Sequence, residues 1–139
     1  MGEGPVRDRL QGLLFEFLKR RIMPITILAA DDDKAILRLY TRMFSGEGYA
    51  LTKVETFLEA SDLISRNDYD LLITDLMFPD GIGTELIKAF NKKKEDARSL
   101  LVTGSVNAQD LLSKEGVREY IEKPFKVENF LEAVNKVLS

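Results

Sequence analysis

The chain contains no cysteine and no histidine among its 139 residues. Without cysteine it can form no disulfide, thiol nucleophile or thiolate metal site, which is compatible with a reducing cytoplasm. Without histidine it has no imidazole base, none of the usual zinc sites and no phosphohistidine of its own. The chemistry of this protein therefore does not rest on thiols or imidazoles.

Long apolar runs are also missing from the sequence. No stretch approaches the roughly 20 apolar residues of a membrane-spanning helix. The N-terminus lacks the charged region, compact apolar stretch and cleavage site of a secretory signal. We therefore expect a cytoplasmic protein without membrane insertion.

Length and charge limit the function further. At 139 residues the chain fits one domain and leaves no room for a second module, so we expect a stand-alone domain. The hydrophobic fraction of 45% is enough for a real core. Residues 1–23 carry five Lys/Arg and three Asp/Glu, a net charge of +2. Because the whole chain has a net charge of −3, residues 24–139 have a net charge of −5. This acidic body argues against nucleic acid as a partner.

Five short apolar runs alternate with segments of helical period from Ile25 onward. Four runs are typical of strands covered on both faces, whereas Thr52 and Lys53 mark the second as an edge strand. Alternating strands and helices predict right-handed crossovers and a parallel sheet with helices on both faces. The sequence thus predicts an α/β fold, a doubly wound (βα)5 sandwich. The predicted strands are 25–30, 50–54, 71–74, 100–103 and 119–122.

Polar residues stand where four of these strands end, and ligands of such folds bind beyond the carboxyl ends of the strands. If strands one, three, four and five lie side by side, these residues converge on one site. Clustered carboxylates repel one another unless a cation or a proton intervenes, and an all-oxygen cluster suits Mg²⁺. Phosphoryl transfer to a carboxylate then follows naturally, with a lysine and a threonine holding the phosphoryl oxygens. The residues are 31–33, Asp75, Thr103 and Lys123.

Four motifs carry these residues in a fixed order. They are ILAADDD at 27–33, LITDLMFP at 72–79 followed by Gly83, LVTG at 101–104, and YIEKPF at 120–125. Over residues 24–139 the sequence resembles the receiver domains of response regulators, the CheY-like superfamily of two-component signalling. The resemblance implies a flavodoxin/CheY-like five-stranded sheet of order 2-1-3-4-5. Two departures are that Phe78 replaces the usual Met and that the fourth helix, around 108–114, is predicted to be short.

The resemblance also implies a metal site and a phosphorylation site. Asp75 would be the phosphorylated residue and a ligand of Mg²⁺. Asp32 would bind the metal directly, whereas Asp31 would act largely through water. The backbone carbonyl of Met77 would complete the protein's share of the coordination.

Further residues gain roles by the same resemblance. Thr103 would bond the phosphoryl group, Lys123 would pair with it, and Tyr120 would rotate inward as Thr103 moves. The Lys123–Pro124 bond would be cis, which the tertiary amide of proline tolerates. The fourth helix, fifth strand and fifth helix would form the output surface.

These roles describe a phosphoacceptor rather than a turnover enzyme. Such a domain promotes its own phosphorylation and dephosphorylation, and it switches a protein–protein interaction surface in a phosphorelay. Because the chain has no histidine, the donor is expected to be a histidine kinase, a histidine phosphotransfer protein or a small molecule. The phosphorylated form would be read by a downstream effector protein.

Other interpretations compete with this one. Each motif alone is weak, since acidic triplets are often solvated helix starts and Lys123 can be an exposed charge. A phosphatase of the haloacid dehalogenase type would use Asp31 and Asp33. In that family the remaining acid would follow the lysine, whereas here Asp75 precedes Thr103. A flavodoxin-like nucleotide binder would need a phosphate-cradling loop in place of the acids. A receiver kept only for docking would not need the intact acid set.

Residues 1–23 form a separate segment before the receiver region at 24–139. Apolar residues recur at helical spacing in it, flanked by basic ones. Three interpretations stay open: a helix that packs on the body or on a second copy, giving a homodimer through residues 7–22; a membrane-surface anchor; or no natural element, if the protein starts at Met23. The apolar residues are Leu10, Leu13, Leu14, Phe17, Leu18 and Ile22.

Overall fold

The computed structural model of the protein describes residues 4–104, 110 and 116–139. The helix predicted around 108–114 lies outside these residues, apart from Asp110. The helices are α1 (Gly4–Ile22), α2 (Lys34–Met43), α3 (Phe57–Arg66), α4 (Gly83–Lys93) and α5 (Val127–Leu138). The strands are β1 (Ile25–Ala30), β2 (Tyr49–Val54), β3 (Leu71–Asp75), β4 (Met77–Phe78), β5 (Gly81–Ile82), β6 (Ser99–Thr103) and β7 (Tyr120–Glu122).

The five predicted strands form one parallel sheet of order β2-β1-β3-β6-β7. Because β6 and β7 are the fourth and fifth predicted strands, this is the predicted order 2-1-3-4-5, and the predicted fold class is confirmed. The strand with Thr52 and Lys53 lies at an edge, as its polar residues indicated. A small antiparallel pair of β4 and β5 was not predicted, because strands of two residues carry no periodicity.

Side chains alternate between the two faces of the sheet and build a core on each. In β1, Leu28 belongs to the core under α3 and α4, whereas the adjacent Ile27 belongs to the core under α2 and α5. Leu72 and Leu71 divide in the same way in β3. All four side chains are fully buried. Both faces of the sheet are therefore covered by helices, which explains why the central strands are apolar throughout.

Two side-chain caps fix the starts of α2 and α3, and both Asp33 and Thr56 are residue types that are preferred at a helix N-cap. The carboxylate of Asp33 accepts a hydrogen bond of 2.9 Å from the backbone N–H of Ala35. The hydroxyl of Thr56 accepts one of 3.1 Å from the N–H of Glu59, and it donates to the Glu59 carboxylate at 2.9 Å. These bonds satisfy helix N–H groups that have no partner inside the helix.

The N-terminal segment forms the predicted helix, α1, but its side chains do not enter the core. Every side chain from Val6 to Lys19 is exposed. The helix ends at Ile22, and only Met23 and Pro24 connect it to the first residue of β1 at the amino edge of the sheet. Among residues 4–104, 110 and 116–139, no helix combines the length and the apolar character that crossing a bilayer requires.

Loss of the Thr56 cap should destabilise the protein measurably. In Thr56→Ala the N–H of Glu59 loses its acceptor, so the free energy of unfolding should fall by about 1 kcal/mol in urea denaturation. Ser65→Ala is the matched control, because the Ser65 hydroxyl only donates to the carbonyl of Asp62 at the exposed end of the same helix. Its effect should stay within about 0.5 kcal/mol. Equal effects of the two substitutions would contradict the cap's role.

Candidate functional site

The sheet register brings the predicted polar residues to one edge. Ala30 pairs with Thr74. Asp31, the residue after β1, therefore lies beside Asp75, the last residue of the neighbouring strand β3. On the other side of β3, Thr103 ends β6 and lies opposite Glu122 of β7. The backbone N–H of Lys123 then donates to the carbonyl of Thr103 at 2.8 Å.

Lys123 connects the acids of two different strands. Its ammonium lies 2.8 Å from Oδ2 of Asp31 and 3.4 Å from Oδ2 of Asp75. The Lys123–Pro124 peptide bond is cis, as the resemblance implied. A lysine 92 residues away in the chain from Asp31 is therefore part of the same site.

Three carboxylates surround a common point at this edge. Oxygen atoms of Asp31, Asp32 and Asp75 all lie within 4.8 Å of one another. Asp31 is fully buried, Asp75 is partly buried and Asp32 is exposed, so the cluster opens to solvent on one side. Three carboxylates and one ammonium leave a net charge of −2, which suits a divalent cation held by oxygen atoms.

The remaining contacts of the acids orient them. Oδ1 of Asp31 accepts a hydrogen bond from the backbone N–H of Asp33 at 2.8 Å. Oδ1 of Asp75 accepts one from the N–H of Leu76, also at 2.8 Å. Each of these two carboxylates thus has one oxygen on a backbone N–H and the other near Lys123.

The electrostatics follow from this crowding. Burial, and then the charge of Asp31, raise the pKa of Asp75, although Lys123 and the Leu76 N–H act in the opposite direction. Burial alone would lower the pKa of Lys123, but its hydrogen bond to Asp31 and the charges of Asp31 and Asp75 raise it overall. The lysine therefore stays charged, whereas ionised Asp75 is under electrostatic stress.

Asp33 has a different place from the two acids before it. Its side chain caps α2 through Ala35, so the third acid of the triplet is a helix start. The ordinary interpretation of an acidic triplet is thus right for Asp33. It is incomplete for Asp31 and Asp32, whose oxygens lie in the carboxylate cluster.

A tightly packed loop from 75 to 83 follows the third strand. A Cβ atom on Gly83 would lie 1.9 Å from the carbonyl oxygen of Asp75, so only glycine fits there. A Cβ atom on Gly81 would lie 2.3 Å from the ring of Phe57. The Asp80 carboxylate accepts hydrogen bonds from the N–H groups of Phe57 and Leu58, at 2.9 and 3.0 Å.

Two of these residues were missed by sequence reasoning. Asp80 stood in a turn-like Pro-Asp-Gly stretch, and nothing in the sequence indicated that it binds the start of α3. Tyr40 stands at helical spacing among apolar residues, a pattern that predicts only a core residue. It is 1% exposed beneath the acids, and burial together with the charges of Asp31 and Asp75 raises its pKa well above the usual value.

Three other predicted residues lie on strands near the site, and their roles stay predictions. Thr103 is buried at the end of β6. Tyr120 is half-buried in β7 and packs against the core under α3 and α4. Met77 opens β4 with an exposed side chain, and its backbone carbonyl remains a predicted ligand.

A parallel α/β sheet that gathers acids and one lysine at its carboxyl edge is the architecture of signalling receivers. The family model described as the response regulator receiver domain matches residues 27–135. Response regulator MprA from Mycobacterium sp. (strain KMS) is 30% identical over 118 residues, which are 84% of this chain and 51% of that protein. The chain belongs to the response regulator receiver domain family of two-component signalling.

Solved structures show the same fold. The CheY-like receiver domain protein from Methanospirillum hungatei JF-1 superposes with a TM-score of 0.74 at 30% identity, over 83% of this chain and 94% of that one. Response regulator protein TrrA from Thermotoga maritima, in complex with Mg(2+)-BeF, gives 0.73 at 32% identity, over 82% and 99%. The chain spans about half the length of the curated relatives it matches.

Gly83→Ala should displace the backbone of Asp75. The added methyl group would overlap the Asp75 carbonyl, so we expect a loss of about 1–3 kcal/mol in the free energy of unfolding. Gly46→Ala is the matched control, because nothing lies within 4 Å of its Cβ position. Urea denaturation of both variants tests this, and an unchanged stability of Gly83→Ala would contradict the close approach.

Asp75→Asn should stabilise the protein near neutral pH in buffer without divalent ions. A carboxyl group whose pKa is raised by folding contributes stability at low pH and loses it as the pH rises through the folded value. The amide removes this loss, so the melting temperature should exceed that of the unmodified chain near neutral pH.

The difference should shrink at a pH below 3.8, the ordinary value for this carboxyl. Asp96→Asn, at an exposed position away from the site, serves as the control and should show no such trend. A lower melting temperature of Asp75→Asn at neutral pH would contradict the stress on Asp75.

Proposed function

We propose that this receiver domain accepts a phosphoryl group on Asp75 from a phosphohistidine donor and thereby switches a protein-binding surface. The observation that carries the proposal is the position of Lys123, whose ammonium lies between Asp31 at 2.8 Å and Asp75 at 3.4 Å. A cation held there is suited to bind the oxygens of a group transferred to Asp75.

Asp75 is the acid best placed to react. It ends β3 and is partly exposed, whereas Asp31 is fully buried with both oxygens in hydrogen bonds. A carboxylate oxygen of Asp75 attacks phosphorus, the P–N bond of the donor breaks, and its electron pair leaves with the imidazole. The product is an acyl phosphate on Asp75.

The carboxylate cluster suits Mg²⁺ because it joins oxygen ligands to an uncompensated negative charge. Asp31, Asp32, Asp75 and the Met77 carbonyl would hold the ion, with Asp32 as a direct ligand and Asp31 acting largely through water. When bound, the ion supplies charge neutralisation for the phosphoryl oxygens. Among the solved relatives, TrrA from Thermotoga maritima is in complex with Mg(2+)-BeF.

The switch is proposed to start at Thr103. Its hydroxyl bonds a phosphoryl oxygen, and Tyr120, two residues before the strand partner of Thr103, turns inward. Phosphorylation then favours one of two existing conformations rather than creating a new one. The surface around β7 and α5 would gain or lose its partner.

The partners follow from the chemistry of transfer. Because the chain has no histidine, a histidine kinase, a histidine phosphotransfer protein or a small-molecule donor would supply the phosphoryl group, and the same domain would promote its later hydrolysis. A downstream effector protein would read the result. The acidic charge of residues 24–139 supports a protein rather than a nucleic acid in this role.

The phosphatase alternative is weaker in this geometry. It needs Asp31 as nucleophile and Asp33 as acid and base, but the Asp33 carboxylate caps α2 and Asp31 is fully buried.

Phosphorylation by a small donor tests the proposal. The full chain should take up one phosphoryl group from phosphoramidate in the presence of Mg²⁺, measured as intact mass, and lose it on hydroxylamine treatment. Asp75→Asn should take up none. Asp33→Asn is the matched control, because an amide oxygen can still cap α2, and it should react like the unmodified chain.

Uptake that persists in Asp75→Asn would refute the assignment. Turnover of a phosphate ester that depends on Asp31 and not on Asp75 would favour the phosphatase instead.

A further inference from the structure

Helix α1 carries a stripe of exposed apolar side chains. Its side chains lie within an arc of about 100° on the helix, and each is between 56% and 63% exposed. Most helices in proteins owe their stability to packing of such a face. The residues of this α1 stripe are Val6, Leu10, Leu13, Leu14 and Phe17.

Within residues 23–104 and 116–139, neither helix layer of the sheet offers a surface for the α1 stripe. Both faces of the sheet are already covered, one by α3 and α4 and the other by α2 and α5. Only Met23 and Pro24 separate α1 from β1, and proline cannot continue the helix. The connection is thus too short to lay the α1 stripe across either of these helix layers.

The charged residues beside the α1 stripe of one copy are complementary to those of a second copy. Arg9 and Glu16 are seven residues apart, so they flank the stripe on the same side, two helical turns from each other. When two copies pair in antiparallel orientation, Arg9 of each copy meets Glu16 of the other. The same pairing stacks Leu10 on Leu13 and Val6 on Phe17. Parallel pairing would instead place this flank against Leu14 and its neighbours.

We propose that α1 is a homodimerisation helix, which pairs in antiparallel orientation with α1 of a second copy. The occupant is a second copy rather than an anionic bilayer because Glu16 borders the stripe, where a lipid headgroup would repel it. The basic residues at the end of the helix are accounted for by the helix dipole, which favours positive charge there. Since α1 leaves the amino edge of the sheet and Asp75 lies at the carboxyl edge, dimerisation would not need phosphorylation.

A pair of aspartate substitutions tests the face. Leu13 and Phe15 are almost equally exposed, at 63% and 64%, but they lie on opposite sides of α1. In the full chain, Leu13→Asp should weaken the dimer by roughly 100-fold or more, measured by analytical ultracentrifugation. Phe15→Asp carries the same helix penalty and should leave the dimer intact.

A charge exchange tests the orientation. Arg9→Glu and Glu16→Arg should each weaken the dimer by roughly 5- to 30-fold, because each turns two attractive pairs into repulsive ones. The double variant should restore the dimer to about the original affinity. Parallel helices would show no such rescue.

Three results would overturn the proposal. They are a monomeric full chain at all concentrations, equal effects of Leu13→Asp and Phe15→Asp, and absence of rescue in the double variant. A monomeric chain that co-sediments with phosphatidylglycerol vesicles would assign the stripe to a membrane surface instead. None of these results depends on phosphorylation of Asp75, so this inference and the proposed function can fail separately.

Discussion

The contact of the Lys123 ammonium with Asp31 is the interaction on which the site depends. Asp31 is fully buried, and a buried carboxylate without a partner costs several kcal/mol. The partner arrives from the last strand of the sheet, so the acid is tolerated only once β1, β3, β6 and β7 are assembled. One ammonium cannot neutralise three carboxylates. The remaining negative charge is what makes the edge of the sheet receptive to a cation and keeps Asp75 under stress.

The loop after Asp75 is packed closely enough to constrain the backbone beside this contact. Gly83 brings the chain against the Asp75 carbonyl, and Asp80 fastens the same loop to the first turn of α3. The position of the Asp75 carboxylate is therefore set by backbone packing as well as by charge. The cap of α2 belongs to the same arrangement, because Asp33, whose carboxylate caps that helix, also donates its N–H to Asp31. A helix cap, Asp33, therefore stands directly after two members of the carboxylate cluster, Asp31 and Asp32.

The carboxyl and amino edges of the sheet carry different features. The carboxyl edge holds the acids and Lys123, whereas the amino edge leads into α1, whose apolar face is exposed. The family model matches residues 27–135, so family membership describes the receiver and not α1. Separation of the edges allows the proposed phosphoacceptor chemistry and the proposed dimer contact to be studied independently.

The sequence by itself determined the alternation of strands and helices, the sheet order implied by the receiver motifs, the caps at Asp33 and Thr56, and the four strand ends that carry polar residues. These are local patterns, because hydrophobic period and capping depend on residues a few positions apart. Only the tertiary structure decided that Lys123 bonds Asp31, that Tyr40 lies beneath the acids, that Asp80 holds α3 and that α1 stays exposed. Those facts depend on distances between residues far apart in the chain, which are fixed when the sheet and its helices pack together.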